Sequence, residues 1–173
     1  MNHKRWGEWV DRMSDSKILK TVSKYEYVVY QAFELPILVS DRDFVYRGTV
    51  TRNAKGQVVM SMTSCKWKSA PETVGVRARI MNSRYVLTPK GKGKTTVEVE
   101  IHTDPKGMIP TWLVNQLQKS WPVSTLSGVR VQAKRKDVKP FPLPPLTKSA
   151  EHKAKATKLK AKTAKRKAEP AKQ

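Results

Sequence analysis

At 173 residues the chain has room for one domain with a sizeable core and some accessory sequence. Its 35 Lys and Arg against 14 Asp and Glu give a formal charge of +21, which favours polyanionic partners such as anionic lipid surfaces or nucleic acid. Cys65 is the single cysteine, excluding an intramolecular disulfide. No stretch approaches the ~20 apolar residues of a membrane span, and the N-terminus lacks the apolar run of a secretory signal.

Trp6, Trp9, Val10 and Met13 recur at helical spacing, which predicts a short amphipathic helix, or the end of one, over residues 6–13. The pattern then turns to strands. Residues 18–22 are a modest candidate, and residues 25–33 (YEYVVYQAF) a strong one, dense in β-branched and aromatic side chains. A connection containing Pro36 covers residues 34–41. Strands over 43–52 and 57–65 are joined by Asn53-Ala54-Lys55-Gly56, which suits a hairpin turn. Pro71 breaks the alternation at residues 66–73 (KWKSAPET), predicting a loop that exposes Trp67. Strands over 74–80 and 84–88 follow, then the glycine-rich turn Pro89-Lys90-Gly91-Lys92-Gly93 and a closing strand over 95–103.

That closing strand feeds directly into a helix. Val97, Val99 and Ile101 alternate with Glu98, Glu100 and His102, the period-two pattern of a half-buried strand. Asp104 can cap, Gly107 can take a conformation closed to other residues, and Pro110 suits a first helical turn. Ile109, Leu113, Leu117 and Trp121 then recur at helical spacing, predicting a helix over 108–132 that Pro122 should kink or split.

From Lys134 the composition shifts: 14 Lys and Arg against 3 Asp and Glu carry +11 of the charge, leaving +10 to residues 1–133. Residues 139–146 (KPFPLPPL) favour an extended, polyproline-like linker. Residues 151–173 are Lys/Ala-rich and lack the apolar groups to offset their ordering entropy, so a disordered tail is expected. The chain divides into a domain at 1–133 and a linker with basic tail at 134–173.

Little in the sequence points to catalysis. His3, His102 and His152 do not form a metal set, and no local signature supports a nucleophile and base. Cys65 reads as a small buried or edge residue, and Gly91 and Gly93 lack the spacing of a phosphate-binding loop. No catalytic residue, metal ligand or cofactor is expected.

Asp104-Pro105-Lys106-Gly107-Met108-Ile109-Pro110-Thr111-Trp112-Leu113-Val114-Asn115 resembles the strand-to-helix joint of START domains, the lipid-transfer modules related to the steroidogenic acute regulatory protein. Three further segments are similar to that family in the same order: Tyr25 to Gln31, Leu35-Pro36 through Ser40-Asp41-Arg42-Asp43-Phe44-Val45, and Gly75-Val76-Arg77-Ala78. The resemblance runs from about Trp6 to Val131. It implies an α+β helix-grip fold, a curved antiparallel sheet packed around a long C-terminal helix with one lipid held between them. It also implies that residues 66–73 and 108–132 form a movable cover, with Trp67, Pro71, Gly107, Met108 and Pro110 as lid positions.

Alternation together with the resemblance selects Met60, Met62, Ala78, Ile80, Val97, Val99, Ile101, Leu113, Leu117 and Trp121 as cavity-lining residues. For any one of them ordinary core packing is the competing reading. The family's domain is longer at its N-terminus, so the chain is expected to be truncated, mis-started, or left with a sheet edge that something must cover. Arg79 stands where the family often has an acidic residue. The expected function is non-enzymatic lipid binding or transfer in the cytoplasm, with the basic tail reaching an anionic membrane surface. The alternative is a nucleic-acid-associated protein that binds through the tail.

Overall fold

The computed structural model describes residues 3–147 apart from position 37. The basic tail expected beyond that point lies outside the described residues. A curved antiparallel sheet and one long C-terminal helix make up the structure. The strands are β1 (Met13–Ser23), β2 (Glu26–Phe33), β3 (Arg42–Arg52), β4 (Val58–Ser64), β5 (Val76–Arg77), β6 (Arg79–Ile80), β7 (Ser83–Gly91), β8 (Lys94–Glu100) and β9 (Thr103–Asp104), followed by α1 (Thr111–Gln132). Six strands run in the order β1-β2-β3-β4-β7-β8, β5 pairs in parallel with the start of β3, and β6 with β9 forms a separate two-stranded ladder.

The core lies on both sides of β2. Tyr27, Val28, Val29 and Tyr30 are all buried, so this strand is covered on both faces. Tyr27 and Val29 join Tyr46 and Ile80 on the inner face, with Trp6, Ile18, Phe44 and Met62 packed against them. Val28, Tyr30 and Ala32 join Val45 on the outer face, with Leu19, Cys65, Trp67 and Ala70. Burying a valine as completely as Val28 or Val29 contributes roughly 1.5–3 kcal/mol, which makes β2 and β3 the most firmly held part of the sheet.

Several expectations are corrected. The N-terminal segment is a 3-10 turn over His3–Glu8, not an amphipathic helix reaching Met13. Arg12 adopts φ 59°, which ends any helix, and Met13 is already paired with Phe33 at the start of β1. The strand expected over 74–80 is two short pieces that pair with different partners: Val76–Arg77 runs parallel to the start of β3, a ladder the Ala78 N–H extends to the Asp43 carbonyl at 2.9 Å, and Arg79–Ile80 then pairs with β9. The closing strand stops at Glu100, where the Ser83 hydroxyl takes the N–H of His102 at 3.1 Å, and resumes as β9.

Pro122 does not split the helix: α1 runs unbroken from Thr111 to Gln132. The carbonyl of Gln118, which loses its partner to the proline ring, sits on an exposed residue where water can serve. Pro110 stands at the N-cap position, one residue before the first helical turn, and supplies no side-chain cap. Asp104 caps a different turn, accepting the Lys106 N–H at 3.1 Å.

The Pro-rich segment is not a free linker. Phe141 meets the Tyr25 ring edge-to-face at 5.8 Å, and the Tyr25 hydroxyl donates to the Leu143 carbonyl at 3.1 Å. Thr147 donates its N–H to the Arg52 carbonyl at 2.7 Å, beside a parallel bridge between Arg52 and Leu146. The β2 ladder ends at Glu26–Thr49, so the last residues of β3 have an open edge that this strap fills.

Candidate functional site

Strand register places the candidate lining residues. Met60 and Met62 of β4 lie opposite Tyr85 and Ser83 of β7, and Tyr85 and Leu87 lie opposite Val99 and Val97 of β8. On the other side, Met60 and Met62 pair with Val50 and Gly48 of β3. Because side chains directly opposite one another share a face, Met60, Met62, Val97 and Val99 fall on one surface. Tyr46, in phase with Gly48, shares it, and that surface is the inner one of the Tyr27–Ile80 cluster. Ile80 belongs to the cluster itself, while Ala78 is 1 % exposed between β5 and β6. Ile101 lies beyond the end of β8 and is exposed.

On the helix, Leu113, Leu117, Trp121, Thr125 and Gly128 form one stripe at spacings of four and three. Leu113 and Thr125 are its two fully buried residues. The helix is fastened mainly to the N-terminal segment. The Trp121 indole donates to the Asp11 carbonyl at 3.2 Å, the Thr125 hydroxyl accepts the Asp11 N–H at 3.4 Å, and the Gln132 amide reaches Glu8 at 2.8 Å. A Cβ on Gly128 would lie 2.5 Å from the Trp9 carbonyl oxygen, so the glycine permits this approach.

The two segments expected to form a cover are anchored on adjacent residues of β3. Arg42, 4 % exposed, donates to the carbonyls of Pro105 and Lys106, each at 3.0 Å, and to that of Ser40. Desolvation lowers the Arg42 pKa, with Asp41 opposing. Asp43, fully buried, pairs with Arg77 and accepts the Val74 N–H at 3.0 Å, while Arg77 also holds the Pro71 carbonyl at 2.7 Å. Gly107 takes φ 62°, and a Cβ there would sit 3.3 Å from the Arg42 guanidinium. Met108 is 96 % exposed and Pro110 is exposed.

Trp67 is placed differently from the sequence reading. It is half-buried against the outer-face cluster with Cys65 and Ala70, not exposed on a free loop. Sequence reasoning also missed Tyr46 and Tyr85, two phenols that share the inner face with Tyr27. Burial pushes Tyr46 well above the usual phenol range, with Tyr85 adding to it, and pushes Tyr85 up to about 12. Both therefore stay neutral, able to exchange hydrogen bonds but not to carry charge. The alternation of β3 and β7 contains this placement once the register is known.

A depression of about 180 Å³ is lined by Arg84, Val86, Glu98, Val99 and Glu100. It falls below the ~300–1,000 Å³ of small-molecule sites, and its charged rim, with Arg84 and Glu100 paired at 2.7 Å, sets it apart from the apolar inner face. Among the described residues no group of three or more His, Cys, Asp or Glu could hold a metal ion, and no helix is long and apolar enough to cross a membrane.

A curved antiparallel sheet with an apolar inner face, a C-terminal helix and two anchored flanking segments defines a helix-grip domain. The profile of the START domain family matches residues 1–134, and the chain belongs to that family. It is 29% identical over 129 residues to the uncharacterized protein PA1579 of Pseudomonas aeruginosa, covering 75% of this chain and 63% of that protein's length. Among solved structures, it is similar to a STAR-related lipid transfer protein fragment from Xanthomonas axonopodis (TM-score 0.65, 25% identity, 78% of this chain and 75% of that one). It is also similar to the lipid transfer and protein localization domain of human StarD13 (TM-score 0.57, 25% identity, 79% and 66%).

Proposed function

We propose that this chain is a non-enzymatic lipid-binding or lipid-transfer protein that holds one hydrophobic ligand between the inner face of the sheet and α1. The observation that carries the reading is the continuous apolar surface which register builds across β3, β4, β7 and β8, bounded by Val50, Met60, Met62, Leu87, Val97 and Val99. The family's lipid-transfer relatives supply the ligand class. Methionines suit a wall that adapts to a flexible chain. Neutral Tyr46 and Tyr85 offer the ligand hydrogen-bonding groups without charge.

Entry requires α1 to move, and the structure supports that. The helix buries only Leu113 and Thr125 fully, so little apolar area is lost when it swings from its joint at Gly107. In this reading Pro71, Gly107, Met108 and Pro110 border the opening, and Arg42 and Asp43 hold its fixed side to β3 while α1 moves. The Lys-rich sequence beyond residue 147 adds affinity for an anionic membrane, at ~1 kcal/mol per cation held near the surface.

Native mass spectrometry of the purified chain tests the reading. Co-purifying lipid, or lipid extracted from vesicles, is expected for the natural sequence and is expected to be lost in Leu117→Arg. Repeated recovery of ligand-free protein that extracts nothing would overturn it.

A further inference from the structure

The two ends of the sheet differ in charge, and the register shows how. β1–β2, β3–β4 and β7–β8 all turn at the same end, since Ser23 faces Glu26, Arg52 faces Val58, and Gly91 faces Lys94, while Arg52 and Leu87 both lie across from Val58. These three turns, residues 23–25, 53–57 and 89–95, contain five lysines and no acidic residue. Lys24, Lys55, Lys90, Lys92 and Lys94 are all exposed, and none enters an ion pair among the described residues. The opposite end mixes signs: Glu34, Asp41, Glu72 and Asp104 accompany Lys66, Lys68 and Lys106 in its loops.

A second observation points to the same end. The strap returns to Arg52 at Thr147, so the last described residue lies at the end of the sheet that carries the three turns. Strands about 4.8 Å apart spread the turns over roughly 20 Å, giving a broad cationic end. Point-charge lysines spread in this way fit a planar anionic surface better than a nucleic-acid backbone, for which a track of arginine forks and stacking aromatics would be expected. The aromatic ring at this end, Tyr25, is already occupied by Phe141 on one side and Lys24 at 5.7 Å.

We propose that the turn end of the sheet is a docking surface for an anionic lipid bilayer, distinct from the apolar inner face. Docked in this way, the loop end carrying Gly107 and the exposed Met108 points away from the surface that holds the protein. The docking does not depend on a ligand in the inner face.

Vesicle co-sedimentation with the full chain tests it, using phosphatidylcholine vesicles with and without 30 mol% phosphatidylglycerol as the probe, a composition of about one anionic lipid in three. Neutralising the five turn lysines to Gln should weaken binding to anionic vesicles about tenfold or more at 0.1 M salt. Neutralising Lys4, Lys66, Lys68, Lys119 and Lys134 changes the net charge equally and should weaken it much less. Leu117→Arg should dock normally, so failure of lipid uptake and failure of docking are separable. Equal loss in both lysine sets, or no loss in the turn set, overturns the proposal; so does tighter binding to duplex DNA than to vesicles that is lost in the turn set. In a Cys65→Ser background, an environment-sensitive dye at Lys92→Cys should shift to the blue on anionic vesicles while one at Met108→Cys does not, and the reverse pattern overturns the orientation.

Discussion

Arg42 at the start of β3 donates through Nε to the carbonyl oxygen of Pro105 across 3.0 Å, joining the middle of the sheet to the segment from which α1 departs. The same guanidinium holds the Lys106 carbonyl at 3.0 Å, so the joint is fixed through its backbone and not through its side chains. A hydrogen bond to a charged group contributes ~1.5–3 kcal/mol. Arg42→Met should therefore cost about 3 kcal/mol or more in urea denaturation and speed tryptic cleavage after Lys106. Arg42→Lys keeps the charge but loses the fork, and should recover only part of the loss.

Gly128→Ala sets two effects against each other. Alanine gains ~1 kcal/mol of helix propensity over glycine. Its Cβ, however, would lie 2.5 Å from the Trp9 carbonyl oxygen and 3.0 Å from the Trp9 Cα, both backbone atoms that cannot rotate away. Overpacking of this kind costs ~1–3 kcal/mol, so the clash wins. The variant should be less stable in chemical denaturation, and amides of α1 should exchange faster.

How far the sequence predicts this structure depends on how local the determining contacts are. β2 and the β3–β4 hairpin are readable because alternation and turn chemistry act within a few residues, and Asn53 does accept the N–H groups of Lys55 and Gln57 at 3.1 Å. The strand-to-helix joint is readable for the same reason, since Gly107 takes the positive φ its position suggested. Trp67 is misjudged because its partners Val28, Tyr30 and Val45 lie on strands far away in sequence. The strap escaped notice likewise: nothing in KPFPLPPL announces Tyr25 and Arg52 as partners. Tyr46 and Tyr85 could be assigned a face only when the register of three strands was fixed together.

Asp43 is the buried anchor of the neighbouring segment. Its carboxylate is fully buried, holds Arg77 and the Val74 N–H, and sits beside its own carbonyl, which takes Ala78. Breaking a buried pair from one side typically costs ~3–5 kcal/mol; the Arg77 side chain is 35% exposed, which puts the expected loss for Asp43→Ala near the lower end, about 3 kcal/mol. Chemical denaturation gives the magnitude. Limited proteolysis should show new cleavage at Lys66 and Lys68, and unchanged protection there would argue that the loop is held by Trp67 instead.

Acid should release the far end of α1 before it unfolds the sheet. The Glu8 carboxylate accepts the Arg5 guanidinium at 2.8 and 2.9 Å and the Gln132 amide at 2.8 Å, and these bonds, with Arg5 the larger cause, lower its pKa from 4.5 to about 2. Asp137 is held below the usual carboxylate range by Arg135, which also lies 3.6 Å from Glu8. A carboxyl whose folded pKa is depressed stabilises the folded state fully above its unfolded value and loses that contribution as pH falls through the folded one. The Glu8 contribution should thus fade between about pH 4.5 and 2. These groups are exposed, so 1 M salt should shrink the effect. Hydrogen exchange of α1 amides near Gln132, followed against pH, should show the loosening in the natural sequence. In Glu8→Gln it should be already loose at neutral pH and show a much weaker acid response; an identical acid response in both chains would assign the transition to another group.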